Sequence, residues 1–257
     1  MAAIESKASV GRLMHRLANV LVPPVCLGCH VRLDQPDALC GSCWREIAFI
    51  RQPVCDRLGI PLPYAISGEV LISAAALANP PAWSRARAAT LYESGGVVAG
   101  LIHAMKYADR HDARRMLARW LAEAGRELLS DADLIVPVPL TRRRLIRRQF
   151  NQAALLARDV SRLTGVGWSP SMLAKVRETM PQVTLSGSAR RDNLRGAFSV
   201  TKAGKGGLAG RRIVLLDDVV TTGATAEAAT KALISGGAAR VDVLAVAIVA
   251  GPAVVSP

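Results

Sequence analysis

Apolar and polar positions along the chain form segments that predict strands and helices in alternation. Short, mainly apolar runs indicate parallel strands buried on both faces, and they lie at residues 88–92, 134–140, 213–216 and 241–249. Segments with apolar residues at helical spacing come between them, at 96–105, 112–128, 151–163 and 225–235. Two short strands are predicted at 172–176 and 198–200. This order predicts an α/β domain with a doubly wound parallel sheet and right-handed crossovers.

The first 88 residues lack this alternation and divide into three segments. Residues 1–21 have apolar side chains at helical spacing, interrupted by Arg12, His15 and Arg16, which predicts an amphipathic helix rather than a signal peptide. Residues 22–62 are rich in turns, residues 63–88 are a linker or cover, and residues 89–257 form the sheet domain. Because no apolar run reaches the roughly 18 to 20 residues that cross a bilayer, we expect no membrane span and a cytoplasmic protein.

Four of the five cysteines form two C-x2-C pairs, which are Cys26 with Cys29 and Cys40 with Cys43. Each pair directs two thiolates at one metal ion, and two pairs complete a tetrahedral Zn²⁺ site. Disulfides are rare in the cytosol. A segment of about 40 residues also has little core, so zinc binding would supply folding free energy. The spacing therefore predicts a zinc-ribbon module with a structural zinc ion.

The strand predicted at 213–216 runs into two acids and then into a small, hydroxyl-rich turn. The segment reads Asp217, Asp218, Val219, Val220, Thr221, Thr222, Gly223, Ala224, Thr225. Backbone N–H groups, hydroxyls and a helix N-terminus meet at such a turn, which suits a phosphate group. The two carboxylates suit a ribose diol, or Mg²⁺ held by a sugar phosphate. A plain strand end followed by a helix cap is the alternative, although adjacent acids near a core repel each other and are costly to desolvate.

A second phosphate-binding candidate lies at residues 204–209, where the letters match the dinucleotide-binding fingerprint. That fingerprint acts between a strand and a following helix. Here the glycines come before a predicted strand, so we predict a flexible connection instead.

The net charge of +13 comes mainly from arginine, because only six of the 33 basic residues are lysines. Arginine suits phosphate recognition since its planar guanidinium donates two hydrogen bonds at once. Codon bias is an alternative source of the overall surplus. The local cluster is more specific, and it comprises Arg142, Arg143, Arg144, Arg147 and Arg148. Polyanions such as nucleic acids or nucleotides are the expected partners.

Together these features resemble the ComF family, in which an N-terminal zinc ribbon is joined to a phosphoribosyltransferase-type domain. The segment 217–225 resembles the phosphoribosyl-pyrophosphate (PRPP) signature of type I phosphoribosyltransferases, and the resemblance extends over residues 22–249. Its other landmarks are the two cysteine pairs, 101–107 (LIHAMKY), 136–140 (VPVPL), 150–152 (FNQ), 181–182 (PQ) and 190–193 (RRDN).

The resemblance implies roles for individual positions. Asp217 and Asp218 would be catalytic and bind the ribose hydroxyls of PRPP, and 221–225 would hold its 5′-phosphate. Pyrophosphate would bind at the turn formed by Leu140, Thr141 and Arg142. Lys106 would reach the same cleft, with a solvated helix face as the alternative. Mg²⁺ would accompany PRPP, and residues 180–193 would form a mobile loop over the site.

This chain departs from the family pattern at two places. Gln149 stands where the family usually has glycine before Phe-Asn-Gln, which predicts a less free backbone there. Many members have a second pair of cysteine turns, and here only Cys55 is left, with Leu58 at the position of its partner. One zinc ion is therefore expected rather than two, and Cys55 is interpreted as a relic or a buried thiol.

Two functions of different class follow. One is the transfer of a phosphoribosyl group from PRPP to a base, for which the sequence identifies no general base. The other is a non-catalytic role in competence and DNA uptake, with single-stranded DNA as partner and the PRPP pocket as sensor or scaffold. The candidate nucleic-acid residues are Arg143, Arg144, Arg147 and Arg148. Aromatic residues make up only 4% of the chain, so DNA contact would be mainly with phosphates.

Overall fold

A computed structural model describes residues 23–63, 70–107, 112–177 and 196–250. The helix predicted at 1–21 and the loop predicted at 180–193 lie outside the described residues. Among the described residues, no helix has the length and apolarity needed to cross a membrane. The cytoplasmic location stays a prediction.

The centre of the fold is a parallel sheet of four strands in the order β1-β6-β5-β2. These strands are β1 (Ala86–Leu91), β2 (Leu134–Pro137), β5 (Arg212–Val220) and β6 (Arg240–Ile248). Two further strands, β3 (Leu173–Lys175) and β4 (Phe198–Val200), pair antiparallel in a separate sheet. All parallel strands end at the same edge of the sheet, so the segments that follow β2 and β5 can form one cleft.

The helices come between the strands in chain order. They are α1 (Gly41–Arg45), α2 (Ala74–Ala78), α3 (Val97–Tyr107), α4 (Asp112–Ala124), α5 (Arg126–Ser130), α6 (Arg142–Arg148), α7 (Gln152–Thr164), α8 (Lys202–Gly207) and α9 (Ala224–Ser235). One apolar cluster joins the sheet to α3, α4, α5 and α7, and another joins it to α9 and the β3–β4 sheet. Both faces of the sheet are thus covered, which is why β2 and β6 are buried almost without interruption.

The structure confirms the predicted doubly wound parallel sheet, and differs from the predictions in detail. β5 continues through the acids to Val220, because Asp217 and Val219 still pair with β6. The flexible connection predicted at 204–209 was wrong at its start, where α8 forms with Thr201 as its N-cap. The helix predicted at 112–128 is divided into α4 and α5, and β1 begins inside the segment assigned to the linker.

The outer edge of β1 is covered by residues 48–50. Ile50 donates a backbone hydrogen bond of 2.9 Å to Ala89, and Leu91 donates one of 2.8 Å to Ala48. This edge of the sheet is therefore paired with the segment predicted as the zinc-ribbon module, residues 22–62.

Candidate functional site

A cavity of about 270 Å³ lies at the edge of the sheet where β2 and β5 end. Its polar lining combines acids, bases, an amide and hydroxyls: Asp217, Asp218, Lys106, Arg144, Arg148, Lys175, Gln152, Thr221 and Thr225. The remaining lining residues are Val138, Pro139, Leu140, Val219, Val220, Gly223 and Ala226. The cavity thus places carboxylates, cations and the start of α9 around one space.

Asp218 is buried and held by two neighbouring helices. The Lys106 ammonium at the end of α3 lies 2.5 Å from its Oδ2, and the Gln152 amide at the start of α7 donates to the same oxygen at 3.3 Å. Burial alone would raise the pKa of Asp218, but the charge and hydrogen bond of Lys106 outweigh burial and hold the pKa below its usual value. Asp218 is therefore an ionised, compensated carboxylate.

Asp217 lies beside it with less compensation. Burial and the Asp218 charge raise the pKa of Asp217 well above its ordinary value, opposed by the Asp218 backbone N–H and by Lys106. Among the described residues, Asp217 forms no ion pair within 4 Å. A cation or a pair of hydroxyl donors in the cavity would stabilise its ionised form.

The turn after β5 and the start of α9 form one wall of the cavity. Gly223 has a φ of 73°, in the left-handed region, and no side chain caps the helix. The N-terminus of an uncapped helix presents backbone N–H groups and a partial positive charge, which favour an anion. Thr221 and Thr225 bring hydroxyl-bearing side chains to the same wall.

The cations come from three different elements. Arg144 and Arg148 are one turn apart on α6, and Lys175 extends from β3. Burial and the Arg144 charge lower the pKa of Lys175, against the opposing effect of Asp217. The Lys175 ammonium also lies 5.4 Å from the centre of the Phe198 ring. Like charges held together in this way favour an anionic ligand.

The connection between α6 and α7 sets the position of these groups. Thr141 caps α6 by accepting the Arg144 backbone N–H at 3.4 Å. Asn151 caps α7 and donates from its amide to the Val138 carbonyl at 3.0 Å. Gln149 between them has a φ of 63°. The position where the family usually has glycine is therefore left-handed, and Gln149 occupies it in this chain.

Most of the residues predicted to bind a sugar phosphate line the cavity, and four lie outside its lining. These four are Thr141, Arg142, Thr222 and Ala224. Of the arginines predicted to bind nucleic acid, Arg144 and Arg148 line the cavity, while Arg143 and Arg147 are exposed on another face of α6.

Two polar lining residues, Gln152 and Lys175, are not among those predicted from the sequence. Gln152 belongs to the Phe-Asn-Gln landmark, which could have indicated it, but no role was assigned to it. Lys175 has no local signal, because only the antiparallel pairing of β3 with β4 brings it to the cavity.

The four paired cysteines form the second candidate site. The sulfurs of Cys26, Cys29, Cys40 and Cys43 all lie within 4.8 Å of one another. Tetrahedral zinc with Zn–S bonds of about 2.3 Å places sulfurs roughly 3.8 Å apart, and Cys29 and Cys40 are 3.6 Å apart. Burial opposes thiolate formation at Cys26, but backbone N–H donors around it lower its pKa to about 6. The donor set fits the structural zinc of a zinc ribbon.

A second ribbon follows the first with the same backbone plan. In each ribbon the backbone N–H of a cysteine donates to a carbonyl across a short hairpin, and the carbonyl of the same cysteine accepts a backbone N–H from that hairpin. The cysteine sulfur accepts the backbone N–H of the residue that caps the following helix. The matched contacts are Cys26–Val31 and Cys55–Ile60 (N to O, 2.7 and 2.8 Å), His30–Cys26 and Gly59–Cys55 (N to O, 3.0 and 2.7 Å), and Cys40–Cys26 and Ser73–Cys55 (N to Sγ, 3.2 Å in both).

The match assigns the ligand positions of the second ribbon, which are Cys55, Leu58, Ser73 and Ala76. One thiol, one hydroxyl and two apolar side chains do not form a zinc site. Leu58 instead packs against the core cluster beneath α9. The second ribbon keeps its fold with apolar packing in place of metal ligands, which supports the expectation of a single zinc ion.

Comparison with known proteins identifies a matching domain family and a group of relatives. Residues 17–74 match the double zinc ribbon domain. The DNA utilization protein YhgH of Escherichia coli O157:H7 is 33% identical over 228 residues, which are 86% of this chain and 96% of that protein. Competence protein F of Haemophilus influenzae is 31% identical over 224 residues, 85% of this chain and 94% of that protein.

Among solved structures, the chain is similar to glutamine PRPP amidotransferase from B. subtilis, complexed with ADP and GMP. The TM-score is 0.36 at 25% identity, over 52% of this chain and 26% of that chain.

Proposed function

Because this chain belongs to the ComF family, with relatives named for competence and DNA utilization, we propose that it binds PRPP or a related sugar phosphate in the cavity beyond β5. One observation carries the proposal: Asp218, paired with Lys106, and Asp217, which has no ion pair within 4 Å among the described residues, line one cavity together with Arg144, Arg148 and Lys175. A ribose diol needs acceptors, and a pyrophosphate needs cations. The cavity offers both within 270 Å³.

Each part of the ligand contacts a different set of lining residues. The ribose hydroxyls donate to Asp217 and Asp218. The 5′-phosphate binds at the start of α9, where the turn 221–225 supplies backbone N–H groups and hydroxyls. The pyrophosphate lies toward Arg144, Arg148 and Lys175, with Leu140 and Lys106 beside it.

The chemistry of the donor set fits a magnesium ion bound together with the ligand. Asp217 is a carboxylate that forms no ion pair within 4 Å among the described residues, and it lines the cavity that would hold the ligand. Magnesium usually binds through one or two carboxylates and the phosphates of its substrate. When bound, it would neutralise charge on the leaving pyrophosphate.

Phosphoribosyl transfer is the reaction that this arrangement would support. The bond from C1 of the ribose to pyrophosphate breaks, and a bond from C1 to a base nitrogen forms. Arg144, Arg148 and Lys175 would stabilise the pyrophosphate as it leaves, and the two carboxylates would hold the ribose in place. The described lining offers no histidine as general base, so we propose binding as the function and transfer as its extension.

A second candidate function is contact with single-stranded DNA, and α6 favours it. This helix contains five arginines and no buried residue, and Arg143 and Arg147 are exposed outside the cavity lining. Such a surface binds phosphates without reading bases. It would act beside the cavity, not through it.

Titration calorimetry with PRPP and Mg²⁺ tests the proposal. We expect the wild-type protein to bind with measurable heat and the variant Asp217→Asn/Asp218→Asn to lose at least about tenfold in affinity, as expected when charge-assisted hydrogen bonds are removed. Asp133→Asn is the matched control, because Asp133 pairs with Arg212 at the opposite end of β5. A wild-type titration without heat at several temperatures would contradict the proposal.

A further inference from the structure

Trp83 connects the second ribbon to the turn of the cavity. Only 5% of its surface is exposed, and its ring packs against Gly223. A Cβ added to Gly223 would lie 2.8 Å from Cη2 of the Trp83 ring. The left-handed turn between β5 and α9 is therefore in direct contact with this indole.

The second ribbon holds the indole in place. The Trp83 Nε1–H donates to the carbonyl of Arg57 at 2.6 Å, and Arg57 lies in the hairpin between Cys55 and Gly59. The Arg57 guanidinium donates in turn to the Pro81 carbonyl at 2.6 Å. Pro81 and Trp83 are thus both hydrogen-bonded to Arg57 of the second ribbon.

A second contact joins the same segment to α9. The backbone N–H of Ala82 donates to Glu227 Oε2 at 2.8 Å, and Glu227 donates its own backbone N–H to the Gly223 carbonyl at 2.8 Å. Residues 82 and 83 therefore contact both the turn and the first turn of the helix that it precedes.

We propose that Trp83 is a positioning residue for the turn 221–223, and that the second ribbon serves as its support. The indole fills the space beside Gly223 that any other side chain would need, and the Arg57 carbonyl fixes the plane of the ring. This fixes the direction of the backbone N–H groups at the start of α9. The inference rests on the proposed sugar-phosphate function of the cavity.

A purely structural role for Trp83 would affect folding alone, whereas a positioning role affects the turn and its ligand. Trp83→Phe keeps an aromatic ring but loses the N–H donor and the reach to Gly223, and Trp83→Leu loses the ring as well. Trp120→Phe is the matched control, because Trp120 packs with Trp44 and Phe49 beside the first ribbon.

The experiment combines calorimetry with PRPP and Mg²⁺, amide hydrogen exchange and thermal unfolding. In Trp83→Phe we expect about tenfold weaker binding and about tenfold faster exchange in the peptide that covers 221–225, because misplaced groups are costly in a preorganised site. In Trp83→Leu both effects are larger. In Trp120→Phe we expect the affinity for PRPP and the exchange rate of 221–225 to stay within about twofold of wild type. This should hold even if its melting temperature falls as far as that of Trp83→Phe.

A double-mutant cycle tests the contact itself. Gly223→Ala places its Cβ against the Trp83 ring in the wild-type background, and Trp83→Phe removes that ring atom. We therefore expect Gly223→Ala to cost less affinity in the Trp83→Phe background than alone. Additive effects would overturn the contact.

The outcomes separate the two proposals. Binding and exchange in Trp83→Phe that match Trp120→Phe overturn the positioning role. A wild-type protein that does not bind PRPP overturns the proposed function alone. In that case the exchange rate of 221–225 decides the inference, which stands if only the Trp83 variants accelerate it and falls if they do not.

Discussion

Asp217 and Asp218 are adjacent in the chain, but their environments move their pKa values in opposite directions. Successive residues of a strand point to opposite faces. Both carboxylates line the cavity, but Asp218 meets Lys106 and Gln152, whereas Asp217 has no ion pair within 4 Å among the described residues. One carboxylate is stabilised by the fold, and the other is destabilised by burial and by its neighbour. Asp217, the less compensated of the two, is the group that a ligand can stabilise.

Asp217→Asn should therefore stabilise the ligand-free protein. The raised pKa means that the ionised carboxylate costs free energy in the folded state, and that this cost is absent at low pH where Asp217 is protonated. We expect the amide to raise the free energy of unfolding by about 1 kcal/mol at pH 8, with a smaller gain at pH 5. Urea unfolding at the two pH values measures it.

The control for this effect is Asp133→Asn, where the sign is reversed. Hydrogen bonds from Arg212 lower the pKa of Asp133 to about 2, so ionised Asp133 contributes stability at neutral pH that is lost as the pH falls through that pKa. Its amide variant should be slightly less stable at pH 8. An Asp217→Asn protein less stable than wild type at pH 8 would refute the argument.

Gln149→Gly should also stabilise the fold. Gln149 ends α6 with a φ of 63°, a conformation in which glycine avoids the contact between Cβ and the carbonyl oxygen. We expect a gain of about 0.5 to 1 kcal/mol in unfolding free energy, after the greater chain entropy of glycine is taken into account. Gly165→Ala, at the left-handed end of α7, is the reverse control and should destabilise the protein. A loss of stability in Gln149→Gly would contradict the strain.

At the scale of the element, α6 presents two different faces. Arg144 and Arg148 line the cavity, and Arg143 and Arg147 are exposed outside its lining. Each pair is four residues apart, so its members share a face of the helix. A single run of arginines in the sequence thus becomes two surfaces.

The two faces should separate the two candidate functions. We expect Arg144→Ala/Arg148→Ala to weaken PRPP binding by about 10- to 100-fold, because hydrogen bonds to charged groups are lost. We expect Arg143→Ala/Arg147→Ala to leave PRPP binding unchanged and to reduce the salt dependence of single-stranded DNA binding by a slope of about 1.4. Each double variant removes the same charge and so serves as the control for the other, with calorimetry and fluorescence anisotropy as the measurements. Equal effects of both variants on PRPP would contradict the division of faces.

The strands and helices that form the site could be predicted from the sequence where a continuous stretch of residues indicates them. A buried run that ends in two acids and a small turn indicates β5 and α9 without knowledge of the fold. Lys175 and Trp83 have no such signal, since one depends on the pairing of β3 with β4 and the other on the packing of the second ribbon. The two faces of α6 could not be predicted either, because the sequence shows a cluster of arginines but not which of them point toward the cavity.

At the scale of the molecule, the zinc ribbon protects an edge of the sheet. β1 is an outer strand, and residues 48–50 pair with its free side. Trp44 and Phe49 of the ribbon also pack with Trp120 of α4, with ring centres 4.9 to 5.8 Å apart. Open strand edges pair with other chains and promote aggregation. Folding of the ribbon is therefore tied to stability of the whole sheet.

Loss of zinc should for this reason lower the stability of the whole chain. We expect about one equivalent of zinc in the purified protein, and a fall in melting temperature of roughly 5 to 10 °C when a chelator or Cys26→Ser removes it. Cys55→Ser is the matched control, because Cys55 is a buried cysteine in the corresponding position of the second ribbon. It should keep the zinc and most of the melting temperature, as measured by metal analysis and calorimetry. If Cys55→Ser loses zinc as Cys26→Ser does, the second ribbon takes part in metal binding and the assignment of its four positions is wrong.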